Sequence, residues 1–209
     1  NTASAKALRN IQQNELPKSL DPTKRVLGVI RPTIERVGNL SYSKHIGIIA
    51  TQATISSESY ILELNKFAPE IIANTLACPR WVPMVEKGDL DSKELHDIVK
   101  EDIHTLLDKD PWIDTIILGC THYPLITSLI QRVLQELDVP EIILMPQGKP
   151  VAYSLLDYLR RHPEIEQRLT KGQKTLYYTT GNIEQFDKHA SSFIGRKDIV
   201  KSKKISFEK

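Results

Sequence analysis

Cysteine is scarce in this chain: two residues in 209, at positions 78 and 120. Two thiols cannot build a disulfide framework, so a reducing, cytoplasmic setting is the expectation. The thiols and the dispersed histidines show no metal-ligand spacing, which argues against a structural zinc site. Charge of one sign is also missing. The formal net charge is +2, and nothing in it calls for nucleic acid. The Lys-rich stretch Lys201-Ser202-Lys203-Lys204 reads as a solvated tail rather than a binding patch. No apolar run approaches the length of a membrane-spanning helix, and the first residues do not read as a signal peptide, so no membrane partner is expected. Internal repeats and low-complexity segments are absent as well.

What is present is an ordinary globular composition, 40% hydrophobic and 26% charged, enough for one large domain or two small ones. Apolar β-branched runs alternate with helical patterns. The runs predict strands at 26–30, 46–50, 71–76, 115–118, 141–145 and 175–179. The 3.6-residue periodicity predicts helices at 3–13, 34–41, 57–66, 92–107, 124–137, 151–161 and 183–193. Such alternation implies an α/β fold with mainly parallel sheets flanked by helices. Ligands in such folds collect at the carboxyl ends of strands. Two Pro-rich stretches, 16–24 and 145–150, read as crossings between lobes. They divide the chain into a lobe at 25–141, carrying Glu86 and Cys120, and a second lobe assembled from 1–24 and 142–209.

The densest chemistry lies in Leu118-Gly119-Cys120-Thr121-His122-Tyr123-Pro124. A buried strand pattern precedes it and a helical pattern follows. Pro124 suits a first helical turn, where a missing N–H costs nothing. Cys120 therefore falls at a strand end, just before a helix N-terminus, where backbone N–H groups can hold an anion. That environment can lower a thiol pKa from about 8.5 into roughly the 3.5–7.5 range. A buried core cysteine beside a capping threonine is the plainer alternative. A hydroxyl and an imidazole crowded next to the thiol favour proton transfer at a ligand. Thr51 and Thr54 follow an earlier strand in the same manner. Together with Asn1, Thr2 and Thr121 they offer the donors that an ionised carboxylate requires, though capping is their everyday role. Cys78 reads as structural. His45, His96, His104, His162 and His189 read as surface residues, and Trp81 and Trp112 as packing residues.

These motifs resemble the glutamate racemase family. Leu118–Pro124 is similar to its second catalytic motif in sequence. Ala77-Cys78-Pro79-Arg80-Trp81-Val82-Pro83-Met84-Val85-Glu86-Lys87-Gly88 is similar to its acidic motif. Thr51-Gln52-Ala53-Thr54, with Ser57 and Tyr60, resembles its threonine loop, and Tyr177-Tyr178-Thr179-Thr180-Gly181 a C-terminal strand. Asn1-Thr2-Ala3-Ser4-Ala5 resembles the residues that follow the family's first catalytic cysteine. The chain departs from the family at Ala53, where glycine is usual, and at Met145-Pro146-Gln147-Gly148, where Asp-Ser is usual. The family's N-terminal stretch, with an Asp-Ser-Gly loop, a Pro-Tyr-Gly loop and the first catalytic cysteine, has no counterpart here. That cysteine would stand immediately before Asn1.

The resemblance implies two lobes with the active site at their interface. It also implies cofactor-independent interconversion of L- and D-glutamate by two thiols, supplying D-glutamate for peptidoglycan. Cys120 would be one acid/base group, serving the L-enantiomer, with His122 tuning its proton and Glu86 orienting His122. Asn1, Thr2, Thr51, Thr54 and Thr121 would bind substrate, with Thr2, Thr54 and Thr121 ranked above Thr51. A homodimer is expected by resemblance. The competing readings are a racemase for aspartate or a related acid, a Cys–His hydrolase with Cys120 as nucleophile, and a catalytically inactive fragment.

Overall fold

The computed structural model describes residues 1–172, 175–195 and 199–206. The described chain forms two compact units, Asn1–Arg161 and His162–Lys209. Parts of the expected lobe segment 142–209 (173–174, 196–198 and 207–209) lie outside the described residues.

The first unit opens with short helical turns, α1 (Thr2–Lys6) and α2 (Leu8–Asn10), followed by wide and tight turns through Lys18. Then come α3 (Ile30–Leu40), β1 (His45–Ala50), α4 (Gln52–Ile55), α5 (Ser59–Phe67) and β2 (Ile72–Ala77). They are followed by α6 (Trp81–Lys87), α7 (Lys93–Lys109), β3 (Thr115–Leu118), a 3₁₀ turn (Tyr123–Ile126), α8 (Thr127–Glu136), β4 (Ile143–Pro146) and α9 (Gly148–Arg161). The four strands make one parallel sheet in the order β2-β1-β3-β4. β4 lies just past the expected lobe boundary at 141 and is the fourth strand of this sheet.

The central strands β1 and β3 are buried on both faces, which is why they read as continuous apolar runs. Successive side chains alternate sides. Ile49, Ile116 and Leu118 pack with α6, α7 and α8, through Trp81, Val85, Leu95, Ile103 and Ile130. Ile46, Ile48, Ile117 and Met145 pack on the other side with α3 and α5, through Ile34, Val37, Tyr60 and Leu64. Full burial of one such aliphatic side chain stabilises by about 1.5–3 kcal/mol.

Chain order matters more than strand count for the site. The chain passes from β1 to β2 on one side, then crosses back to place β3 on β1's other side. The reversal makes the carboxyl ends of β1 and β3 the switch point of the sheet, the place where open parallel sheets bind ligands.

The second unit contains α10 (Pro163–Glu166), β5 (Tyr177–Thr179), α11 (Ile183–Phe193) and β6 (Ser202–Lys204). β5 and β6 pair in parallel, and the side chain of Asn182 caps α11 by accepting from the N–H of Gln185.

Several expectations are corrected. Residues 26–30 form no strand. The run has no neighbouring strand to pair with; instead Val29 N–H donates to Ser4 Oγ, and Ile30 already begins α3. The helix expected at 3–13 is broken into α1, α2 and a wide turn at Ile11–Glu15. The helix expected at 124–137 begins as a 3₁₀ turn before α8. Ser202–Lys204 is a strand, not a solvated tail, because main-chain pairing with β5 orders it while its lysines stay exposed. His45 is no surface residue: its Nδ1 lies 2.7 Å from a carboxylate oxygen of the buried Asp110. Trp112 is 71% exposed and does not pack, whereas Trp81 is fully buried.

Candidate active site

Three elements bring a thiol, an imidazole and a carboxylate together. β3 ends at Leu118, and Gly119 lets the chain turn tightly against β1. A side-chain carbon at Gly119 would stand 2.9 Å from the Ile49 carbonyl oxygen and 3.2 Å from the Tyr60 hydroxyl. Cys120 follows and is 7% exposed. The 3₁₀ turn fixes His122, whose Nδ1 lies 3.7 Å from Cys120 Sγ. α6 supplies Glu86 near its end, before Gly88 in the left-handed conformation closes the helix. Glu86 Oε1 lies 3.2 Å from His122 Nε2. The three groups form a carboxylate–imidazole–thiol chain, an arrangement in which an adjacent base activates a cysteine. Tyr123 anchors the turn: its ring is fully buried 4.8 Å from that of Trp81, and its hydroxyl donates to the Cys78 carbonyl.

The thiol of Cys120 is shifted opposite to the sequence expectation. Burial pushes its pKa up, and this outweighs the backbone N–H groups of His122, Tyr123 and Thr121, which favour the thiolate. The N–H cluster foreseen at a helix start is present, but a helix terminus so closely packed removes the water that would solvate the anion. Cys78 is fully buried, and burial raises its thiol pKa further, with the nearby Asp102 carboxylate adding to the shift. It is a core residue, as expected.

The threonines gather on the neighbouring strand end. Thr51 follows β1 and caps α4, accepting from the Thr54 N–H. Its hydroxyl is 3.0 Å from that of Thr54 and 3.2 Å from that of Thr2, and Thr2 is 3.3 Å from Thr54. Three hydroxyls thus meet in one triangle, and Thr51, ranked lowest from sequence, belongs to it. Its capping role is seen as well. Thr121 stands apart with an exposed side chain. Asn1 joins a buried network instead: its Nδ2 donates to Gln147 Oε1, and its Oδ1 accepts from the Tyr60 hydroxyl at 2.7 Å. Tyr60 entered the sequence reading only as part of a motif, and Gln147 only as a departure from one. The signal available for Gln147 was a polar residue directly after an apolar strand.

The described residues include no group of three or more side chains arranged to hold a metal ion, and no helix among them is long and apolar enough to cross a membrane.

Fold and site define a class: an α/β protein built on a parallel sheet, with a thiol, an imidazole and a carboxylate in line beyond its strand ends. Residues 21–146 match the Asp/Glu/Hydantoin racemase family. A glutamate racemase of Ruegeria sp. (strain TM1040) is 36% identical over 206 residues, covering 94% of this chain and 71% of that protein. One from Lactiplantibacillus plantarum is 35% identical, covering 95% and 68%. Among solved structures, glutamate racemase isoform RacE1 of Bacillus anthracis superposes with a TM-score of 0.81 at 27% identity, covering 98% of this chain and 71% of that one. Glutamate racemase from Francisella tularensis in complex with D-glutamate gives a TM-score of 0.77 at 27% identity, covering 98% and 70%. The chain belongs to the Asp/Glu/Hydantoin racemase family, among the glutamate racemases.

Proposed function

We propose that this chain carries one acid/base half of a cofactor-independent glutamate racemase site, with Cys120 as its proton-transfer group. Removing a weakly acidic Cα proton and returning one to the opposite face calls for two groups, one on each side of the substrate. Cys120 as thiolate takes the proton from L-glutamate; a second thiol gives one to the other face, and the roles reverse for D-glutamate. In this proposal the second thiol stands immediately before Asn1, as the resemblance implies. Cys78 is not a candidate, since it is sealed in the core.

The observation that carries the reading is the chain Glu86–His122–Cys120, with contacts of 3.2 and 3.7 Å. A buried thiol whose pKa is raised is a stronger base once ionised, which suits a weakly acidic carbon. His122 accepts the thiol proton to generate the thiolate, and Glu86 orients and charge-balances the imidazolium. The hydroxyl triangle of Thr2, Thr51 and Thr54, with Asn1 and Thr121, supplies donors for the two carboxylates. The lobe assignment, 25–141 against 1–24 with 142–209, belongs to the same proposal, save that β4 stays on the sheet of the first of these; so do a homodimer, a cytoplasmic location and supply of D-glutamate to peptidoglycan.

The test is α-proton exchange of L- and D-glutamate in D₂O, followed by NMR, on the polypeptide extended through the stretch before Asn1. Exchange with inversion that disappears in Cys120→Ser is the expected result. Exchange undiminished in Cys120→Ser removes Cys120 from the reaction. Exchange of aspartate but not glutamate reassigns the substrate.

A further inference from the structure

The hydrogen bonds around Asn1 run in one direction, and a backbone carbonyl sets it. Thr33, on α3 and fully buried, donates its hydroxyl hydrogen to the Val29 carbonyl at 2.9 Å. Its oxygen is then left to accept, and it accepts from Gln147 Nε2 at 2.9 Å. The second Nε2 hydrogen goes to the Tyr60 hydroxyl oxygen at 2.7 Å. With that oxygen receiving a donor, the Tyr60 proton goes to Asn1 Oδ1 at 2.7 Å. The remaining amide oxygen, Gln147 Oε1, receives one hydrogen of Asn1 Nδ2. A carbonyl can only accept: turning the Gln147 amide around would set its oxygen against the Thr33 oxygen, an acceptor against an acceptor, and turning it alone would also set its nitrogen against Asn1 Nδ2, a donor against a donor.

Every member but Asn1 is sealed: Thr33 is 0%, Tyr60 2% and Gln147 8% exposed. Asn1 alone is partly open, beside the Thr2 of the hydroxyl triangle. The amide of an asparagine is nearly symmetric in shape, so only its partners decide which end is N–H₂ and which is C=O. Here both ends are decided, and one Nδ2 hydrogen is uncommitted among the described contacts.

We propose that Gln147 is a positioning residue for the substrate site: through Tyr60 and its own amide oxygen it locks the Asn1 amide so that an N–H, rather than the carbonyl oxygen, faces a substrate carboxylate. The inference rests on the racemase reading above. Gln147 touches no substrate in this account and acts through Asn1. A reversed Asn1 amide would present an acceptor to an anion, which only accepts.

The experiment compares the full polypeptide with its Gln147→Glu and Gln147→Met variants in steady-state racemisation of glutamate between pH 6 and pH 9. Gln147→Glu keeps the shape but, ionised, donates to neither Tyr60 nor Thr33. Gln147→Met keeps the bulk and offers no polar partner. The expected result is a KM raised about tenfold in both variants, the scale of one lost carboxylate hydrogen bond, with kcat changed less than threefold. In Gln147→Glu the KM should fall toward the wild-type value at the acid end, where a protonated carboxyl regains one donor; in Gln147→Met it should stay flat. A purely structural role would reduce the folded fraction, lowering kcat and leaving KM alone. KM within twofold of wild type in both variants overturns the proposal, whatever happens to kcat. Absence of glutamate racemisation in the wild-type polypeptide overturns the racemase reading and this inference with it, so the two failures are told apart by which protein shows them.

Discussion

Nε2 of His122 lies 3.2 Å from Oε1 of Glu86, although one residue comes from the turn after β3 and the other from α6. The pair is partly solvent-exposed, 23% and 50% for the two side chains, so it adds little to stability. In the proposed mechanism its consequence is kinetic. His122→Asn should fold normally and slow the L-to-D direction more than the reverse, by about 100-fold, the low end of what a lost acid/base group costs. Because the equilibrium constant is fixed, the change in kcat ratio must be matched in KM, and both directions have to be measured. Equal losses in both directions would point to substrate binding instead.

Burial at Cys120 makes a prediction about its reactivity. Thiolate is the form that alkylates, and the thiol pKa lies above its ordinary value. Iodoacetamide labelling, read by mass spectrometry on the peptide containing Cys120, should therefore be slow near neutrality. Its rate should keep climbing as pH passes the ordinary thiol range of about 8.5. A rate that has already levelled off below pH 8 would show that the backbone N–H groups win over burial.

Gly119 is predicted to tolerate no side chain. In Gly119→Ala the new methyl would sit 2.9 Å from the Ile49 carbonyl oxygen and 3.0 Å from Ala50 Cβ. Both are held by the sheet, where Gly119 N–H donates to that same carbonyl at 2.8 Å. The strain should cost about 1–3 kcal/mol in urea unfolding and displace Cys120, lowering kcat as well. An Ala variant with wild-type stability and turnover would show that the strand ends yield freely.

Asp114 should confer an acid limit on stability. It is 4% exposed; burial raises its pKa, but the N–H groups of Tyr42 and Ser43 and the hydroxyl of Thr115 bond its carboxylate, and the net direction is downward. A carboxyl whose folded pKa is depressed stabilises the fold above its unfolded pKa. That contribution is lost as pH falls from the ordinary carboxylate value of 3.8 through the lower folded one. Asp114→Asn should be less stable at pH 7 by about 1–3 kcal/mol and should lose less than wild type does on acidification below pH 4. Parallel stability curves for the two proteins across that window would contradict this.

The sequence by itself determined the α/β class, because parallel strands buried on both faces leave continuous apolar runs that no polar alternation interrupts. It also determined where the chemistry would fall, since Cys120 and Thr51 each follow such a run. The local fit was best where pattern and partners agreed, as at 115–118 and 183–193, which became β3 and α11. It failed at 26–30, where an apolar run found no strand to pair with, and at α6, where Pro83 hid a helix that tolerates proline in its first turn. Only the tertiary structure decided how closely Glu86 meets His122, a pairing the resemblance had implied, that Thr51 joins Thr2 and Thr54, and that Gln147 closes a ring on Asn1 through Tyr60. Only it decided the sense of the thiol shift at Cys120. Each depends on distances between segments far apart in the chain and on how much water packing excludes, and neither quantity is written in local residue order.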